Sequence, residues 1–495
     1  MMLWVPAPMK LRNLALQASR FATLAALASL PAVAGCDDVG SQEDNVTDVK
    51  NTKVKNQSIG NCWVYASVGW AESLHLTHTG TELNLSESWV SYWHWFEEIA
   101  GPPKGQAQAA NLDKGQISTG GWYGLAAELM RRYGVMDEGV FIPEESESAR
   151  SSRQSSALAA INESLKNGAL KDPAARRDRK LVRQELDKAW GLSEGTIAIM
   201  NETFGEDVSR TFASSGVAPA EGAGLHLPSA IPVGTNISLA DAIGTPSSSW
   251  DVLKRKGKYA WNEERYPSSP SARRALLAKM QKAMHDGMPV IMTWFVDFAA
   301  MDSQNRFMAP PASPGRQGGH MTVVEDYQIN DVPGYGTLEA GTLVTDPAAL
   351  EAALSPEAKI EFVRIKNSWG TSLAPNESGE EFRGYHDIYA AYLDGPLTRC
   401  TESNGDKCGI KSNVPGLTGL VLPPAGFATD AKAKAGTCEV DLCAEGPKMS
   451  STTCEDGDKK ACIDIVCEAD SFCCNNSWDD VCVSQAVDAC SLTCN

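Results

Sequence analysis

The 495-residue chain is 43% hydrophobic and 21% charged, the balance of a soluble globular protein with enough length for two or three domains. Acids outnumber bases 62 to 44, for a net charge of −18, and of −21 once the first 35 residues, with three bases and no acid, are set aside. Such a chain argues against a nucleic-acid partner, since phosphate contacts need a basic face, and no apolar run reaches the roughly 18 residues of a membrane-spanning helix.

The N-terminus reads as an address. Lys10 and Arg12 form a basic start, residues 21–30 a short apolar core, and Val33-Ala34-Gly35-Cys36 a small-residue ending. That ending resembles a bacterial lipobox, which implies cleavage after residue 35 and lipidation of Cys36; an ordinary secretory signal with an incidental cysteine is the alternative. Residues 1–35 are thus expected to be a signal peptide and 36–52 a polar tether. The expected location is outside the cytoplasm, anchored by lipid to a bacterial membrane or secreted. Disulfides are expected in such a compartment.

Three separated motifs follow. In Gln57-Ser58-Ile59-Gly60-Asn61-Cys62-Trp63 a polar turn runs into an apolar helical stretch over residues 62–76. Cys62 therefore falls near a helix N-terminus, where backbone N–H groups and the helix dipole stabilise a thiolate. A buried structural cysteine is the plain alternative. In Gly318-Gly319-His320-Met321 a glycine pair enters a β-rich run, with His320 at its start. Residues 360–366 alternate as a strand, and Asn367-Ser368-Trp369-Gly370 follows.

Taken together, in the order Cys, His, Asn, these motifs resemble the papain-like cysteine peptidases. Leu85-Ser86-Glu87, Gly120-Gly121 and Gly384-Tyr385 add to the resemblance, which spans roughly residues 53–400. It implies an α+β, papain-like two-lobe fold, one lobe helical and one an antiparallel sheet. It also implies a role for each matching residue. Cys62 would be the nucleophile, and His320 would hold it as a thiolate–imidazolium pair and later protonate the leaving amine. Asn367 would orient the imidazole, and Trp369 would shield that bond, with Trp63 supporting the nucleophile. Gln57 and the Cys62 N–H would donate to the oxyanion. Gly120 and Gly121 would offer backbone hydrogen bonds to an extended peptide. No cofactor and no metal are implied.

The chain departs from that pattern in places. Ile59 stands where the family has a second cysteine, and Gln57 precedes Cys62 by five residues rather than six. Gly120-Gly121-Trp122-Tyr123-Gly124, leading into a helical stretch over 125–133, resembles the bleomycin-hydrolase branch, which lacks the early disulfide and carries a helical insertion. Residues about 145–265 read as such an insertion, with helices over 157–165 and 174–190. Members of that branch are cytosolic and send their C-terminus into the active site, which an anchored chain with a cysteine-rich tail does not simply copy.

Two other signals have plainer readings. Gly191-Leu192-Ser193-Glu194-Gly195 matches the nucleophile elbow of serine hydrolases, but that motif needs a preceding strand and a helix precedes it here. Trp89, Trp93, Trp95 and Phe96 read as core packing.

Of fourteen cysteines, none falls between residues 63 and 399, and ten lie in the 57 residues from Cys438 to Cys494. Residues 413–437, rich in Pro, Gly and Ala, read as a linker, and 438–495 as a small domain that cross-links must stabilise. With Cys400 and Cys408 the tail cysteines number twelve, which allows complete pairing. The peptidase domain is accordingly placed at 53–412. The tail is a candidate for binding an unknown surface partner.

The function expected is that of a cysteine-type peptidase, with an endopeptidase favoured over an exopeptidase, acting on peptide or protein substrates. The rival is a non-catalytic, surface-tethered binding protein on the same fold. Acyl transfer to an amine is a third reading that the same residues would serve.

Overall fold

The computed structural model describes residues 46, 49–101, 112, 114–145, 152–215, 218–248, 254–371, 383–400, 403–404, 407–409 and 411–432, and most of 442–490. The expected signal peptide and Cys36 lie outside these residues.

The helical lobe is built on α1 (Cys62–Thr79), α2 (Glu87–Ala100) and α3 (Tyr123–Tyr133). α1 ends at Gly80, whose φ of 70° closes the helix in the left-handed conformation that glycine tolerates. α2 starts at Ser86, whose hydroxyl accepts from the Trp89 N–H at 3.1 Å. The insertion adds α4 (Ser152–Lys166), α5 (Arg179–Trp190) and α6 (Glu194–Phe204). Gly191 terminates α5 with φ 60° and Ser193 caps α6 by accepting from Thr196 N–H, so the elbow-like sequence is a turn between two helices. The aromatic run is core: Trp93 stacks on Tyr133 at 3.9 Å, and Trp89 and Trp93 both meet Phe204. The insertion thus shares its apolar interior with α2 and α3.

The insertion is mainly helical in its first part, and its later part keeps one short helix at Leu239–Ile243. From residue 225 it becomes short paired strands, among them Pro232–Gly234 with Ile237–Ser238. It ends in a strand of the main sheet.

The β lobe is one antiparallel sheet. Its strands are β1 (Asn262–Arg265), β2 (Val290–Asp297), β3 (Gln317–Val332), β4 (Lys359–Lys366), β5 (Tyr385–Tyr389) and β6 (Leu417–Leu422). They lie in the order β5-β4-β3-β2-β6-β1, with Gly336–Leu338 folded back on β3. A helix, α7 (Pro270–His285), connects β1 to β2. α1 packs on β3, closely enough that Gly69 faces Val323 and the Lys366 ammonium.

Two expected boundaries are corrected. The segment taken for the start of a linker supplies β6, inserted between β2 and β1, with Leu417, Leu420 and Val421 fully buried. Phe427 is buried as well and meets Trp261 edge-on. Proline and glycine flank this strand, and they masked it in the composition. The tether also ends earlier than residue 52. Val49, Asn51 and Thr52 are buried, and Val46 N–H donates to Asp326 Oδ1 at 3.1 Å. Asn51 and Thr52 are polar yet buried because their side chains bond to the buried carboxylates of Glu325 and Glu72 rather than to water.

The C-terminal region has its own small core of Leu442, Met449, Ile463, Val466 and Trp478. Its disulfides include Cys462–Cys490, Cys467–Cys474 and Cys473–Cys482, and Cys400–Cys408 closes a hairpin in the body. These bonds point to an oxidising environment. Among the described residues no helix is long and apolar enough to cross a membrane.

Candidate active site

Cys62 is the first residue of α1 and the one free cysteine among the described residues. Its helix is uncapped in an informative way. The Asn61 side chain turns aside to Ser91 Oγ and Gln154 Oε1, both at 3.0 Å, instead of capping the helix. The backbone N–H groups of Met321, Trp63 and Cys62 near the sulfur favour its thiolate, against the larger effect of burial. Met321 follows His320 on β3, so this contact carries the thiol from the helical lobe to the histidine strand.

His320 sits at the start of β3, opposite Trp294 of β2. Its Nε2 lies 2.7 Å from Asn367 Oδ1. Asn367 follows the last residue of β4, and its Oδ1 also accepts from Ser368 N–H at 2.7 Å. Trp369 stacks on the imidazole, with ring centroids 4.8 Å apart and planes 20° apart. Phe298 packs against Trp369 in turn. His320 and Asn367 are only 5% and 3% exposed, so the bond between them is dry.

Burial pushes the Cys62 thiol up and, despite the Asn367 bond, the His320 imidazole down to about 4. Both directions favour neutral groups in isolation. The thiolate–imidazolium form has the same net proton count as the neutral pair, so its population depends on mutual attraction and the helix N–H groups, not on pH.

Gln57 is held beside this pair by the short loop. Its N–H donates to Ser368 O at 2.8 Å, and its side-chain carbonyl accepts from Ser368 Oγ at 2.5 Å. One amide hydrogen is spent on Ile59 O at 2.7 Å, a contact between residues two apart. Only the other is left for an oxyanion.

Gly120 and Gly121 lie on the segment facing Trp63. Trp63 Nε1 donates to Thr119 O at 2.8 Å, which ties that segment to α1. The two glycines differ: a side chain on Gly121 would meet the indole, whereas Gly120 is exposed, with only Ser118 Oγ nearby.

An ionic cluster beneath the site escaped the sequence reading. Lys55 Nζ lies 3.3 Å from Glu72, 3.0 Å from Glu87 and 3.6 Å from Glu138. Burial alone would lower this ammonium, but the three carboxylates outweigh it and hold it well above its ordinary value. Thr52 joins Glu72 at 2.7 Å to the Lys366 ammonium at 3.0 Å, and burial brings Lys366 down to about 8. Leu85-Ser86-Glu87 was noticed in the sequence, but nothing there pointed to Lys55 as its partner.

Residues 436–494 match the family model described as "Domain of unknown function (DUF8252)". No curated protein of similar sequence is found. Among solved structures the chain is similar to PepW from Lactobacillus rhamnosis HN001, at 12% identity over 80% of this chain and 84% of that one, with a TM-score of 0.37. It is also similar to Xylellain, a cysteine protease from Xylella fastidiosa, at 12% identity over 77% and 84%, with a TM-score of 0.28. The site described above stands on its own geometry.

Proposed function

We propose that the chain is a cysteine-type peptidase, an endopeptidase, acting outside the cytoplasm. The observation that carries this reading is the bond between His320 Nε2 and Asn367 Oδ1 beneath Trp369, with the free thiol of Cys62 against the N–H of Met321. The bond commits Nε2 to Asn367 and leaves Nδ1 to exchange a proton with the thiol. The thiolate attacks the scissile carbonyl, and the imidazolium then protonates the departing amine. Water, activated by the same imidazole, releases the acyl group and restores the thiol. The Cys62 N–H and the remaining amide hydrogen of Gln57 supply the oxyanion donors. Gly120 presents its backbone to an extended peptide.

The lipid anchor on Cys36 belongs to the same reading, and the disulfides accord with export. Cys36→Ser is expected to move the protein out of the membrane fraction. The cysteine-rich unit is proposed to bind a surface partner.

The direct test is labelling of the folded, reduced full chain with an epoxide or vinyl-sulfone probe. A single adduct on Cys62 with hydrolysis of a peptide substrate is expected. A folded protein that takes no label is instead a binding protein on this fold.

A further inference from the structure

A second buried histidine lies behind the catalytic pair. His386 is on β5, opposite Ile365 of β4, and is 1% exposed. Two residues further along this ladder, Asn367 N–H donates to Gly384 O at 3.1 Å. His386 and Asn367 are thus diagonal neighbours on adjacent strands, and the two-residue period puts both side chains on one face. Both also belong to the surroundings of Trp369: Asn367 bonds the histidine that Trp369 covers, and His386 meets the indole edge-on at 5.2 Å.

The hydrogen bonding of the two side chains is complementary and incomplete. His386 Nδ1 lies 2.7 Å from Asn305 O. A carbonyl only accepts, so Nδ1 carries the proton and Nε2 presents a lone pair. That Nε2 is buried with no hydrogen-bond partner among the described residues. Asn367 uses Oδ1 twice, towards His320 and Ser368, while its Nδ2 is buried and also without a partner. One buried donor and one buried acceptor therefore stand unpaired on the same face of two neighbouring strands. Leaving each so is costly, and pairing them relieves both.

We propose that His386 is a positioning residue for the catalytic asparagine: its Nε2 accepts, through one bridging water, from Asn367 Nδ2 and holds the amide with Oδ1 towards His320. Ser368 N–H fixes one side of that amide and His386 the other. A flipped amide would set an N–H against the His320 N–H and lose the bond that orients the imidazole. The neutral ring is required, because a second proton would remove the acceptor. The titratable and charged groups that act on His386 are Asp387, its neighbour on the strand, which points to the other face and is paired by Arg364 of β4 at 2.7 Å, and His320 across Trp369 from β3. Burial lowers His386 despite Asp387, which keeps the ring neutral.

This inference rests on the peptidase reading, and the test separates the two. Wild-type protein that neither labels at Cys62 nor hydrolyses peptide fails the peptidase reading itself. With active wild type, His386→Phe, which keeps the ring and removes both nitrogens, is expected to lower kcat roughly tenfold with little change in KM. His386→Gln, which restores an acceptor, is expected to recover most of that loss. In an Asn367→Ala background His386→Phe should cost nothing further, whereas a packing role alone would cost the same in both backgrounds. Equal losses in both backgrounds, or no loss in either, overturn the proposal. Should the phenylalanine variant not fold, a crystal structure of the wild-type protein decides. Asn367 Nδ2 and His386 Nε2 joined by one water are expected, and any other partner for either atom overturns the assignment.

Discussion

Gly121 lies directly against the indole of Trp63: a methyl group placed on Gly121 would come 2.4 Å from Trp63 Cε2. No rotamer relieves this contact, because Trp63 is 1% exposed and tied to Thr119 O. The absent side chain brings the 118–121 segment onto the residue that follows Cys62.

Gly121→Ala is therefore expected to displace Trp63 and to destabilise the fold by roughly 1–3 kcal/mol, the usual cost of overpacking. Gly120→Ala meets open space and should melt with the wild type, but it should raise KM for a peptide substrate. Thermal melts and steady-state kinetics of both variants check this. An unchanged melt for Gly121→Ala would contradict the contact.

The pH dependence of Cys62 follows from the shared proton. The neutral and charged forms of the pair hold the same number of protons, so reactivity should persist as pH falls until the pair takes up one more proton and becomes thiol and imidazolium. Burial places that step down at about 4. Alkylation of Cys62 at pH 5 should thus be fast, and His320→Ala should slow it. On the alkaline side the raised thiol extends the working range upward. Equal alkylation rates at pH 5 in wild type and His320→Ala would break the link between the two residues.

The Lys55 cluster holds the N-terminal segment to the helical lobe. Lys55→Met would leave Glu72, Glu87 and Glu138 buried together without the ammonium that pairs with all three. Breaking a buried pair on one side costs about 3–5 kcal/mol, against near zero for an exposed pair. Urea unfolding should show a loss of that order for Lys55→Met. Lys282→Met, which removes a partly exposed surface pair with Asp286, should show little.

What the sequence made legible followed from local chemistry. Cys62 after a polar turn, His320 after two glycines and Asn367 after an alternating strand each sat at the end of a regular element, so local patterns located them. The helix that ends at Gly191 was readable for the same reason, whereas the one that follows it, Glu194–Phe204, was not anticipated. What stayed hidden depended on distant pairing. Leu417–Leu422 is a central strand only because β1 and β2 flank it, and its proline- and glycine-rich surroundings resembled a linker. Lys55 and Glu138 are 83 residues apart in sequence, and His386 faces the site only through its register with β4.

Glu98 provides a pH-dependent term at the base of the 118–121 segment. Its Oε1 accepts from Ser118 N–H at 2.9 Å, and burial raises its carboxyl to about 7. His94, 3.9 Å away, is lowered by burial to about 4 and supplies no charge at neutral pH. A carboxyl raised in the folded state contributes stability that is complete below its ordinary value of 4.5 and is lost as pH rises through about 7. Glu98→Gln keeps an acceptor for Ser118 and removes the charge. It should melt near the wild type at pH 4 and be the more stable at pH 8, by on the order of 1 kcal/mol once solvent screening is allowed for. A variant that is less stable at pH 8 would show that the charged carboxylate is needed there.

The last prediction concerns where the catalytic body ends. A chain stopped at Ser412 lacks β6 and so exposes an edge of β2, the strand that sets Trp294 against His320. It also leaves β1 without a partner in the sheet. That chain is expected to be insoluble or unfolded. A chain stopped at Lys432 keeps β6 and the buried Phe427, retains Cys400–Cys408, and sheds only the unit with a separate core. It should fold and take the probe at Cys62 as the full chain does. Mild reductant should act in the same direction on the full-length protein. It keeps Cys62 reduced, while each disulfide lost from the small unit costs that unit ~2–5 kcal/mol. Peptidase activity should therefore hold or rise as the C-terminal unit loosens, which limited proteolysis would report. If the chain ending at Lys432 melts cooperatively but takes no label, the cysteine-rich unit is required for the active site and the body is not catalytically self-sufficient.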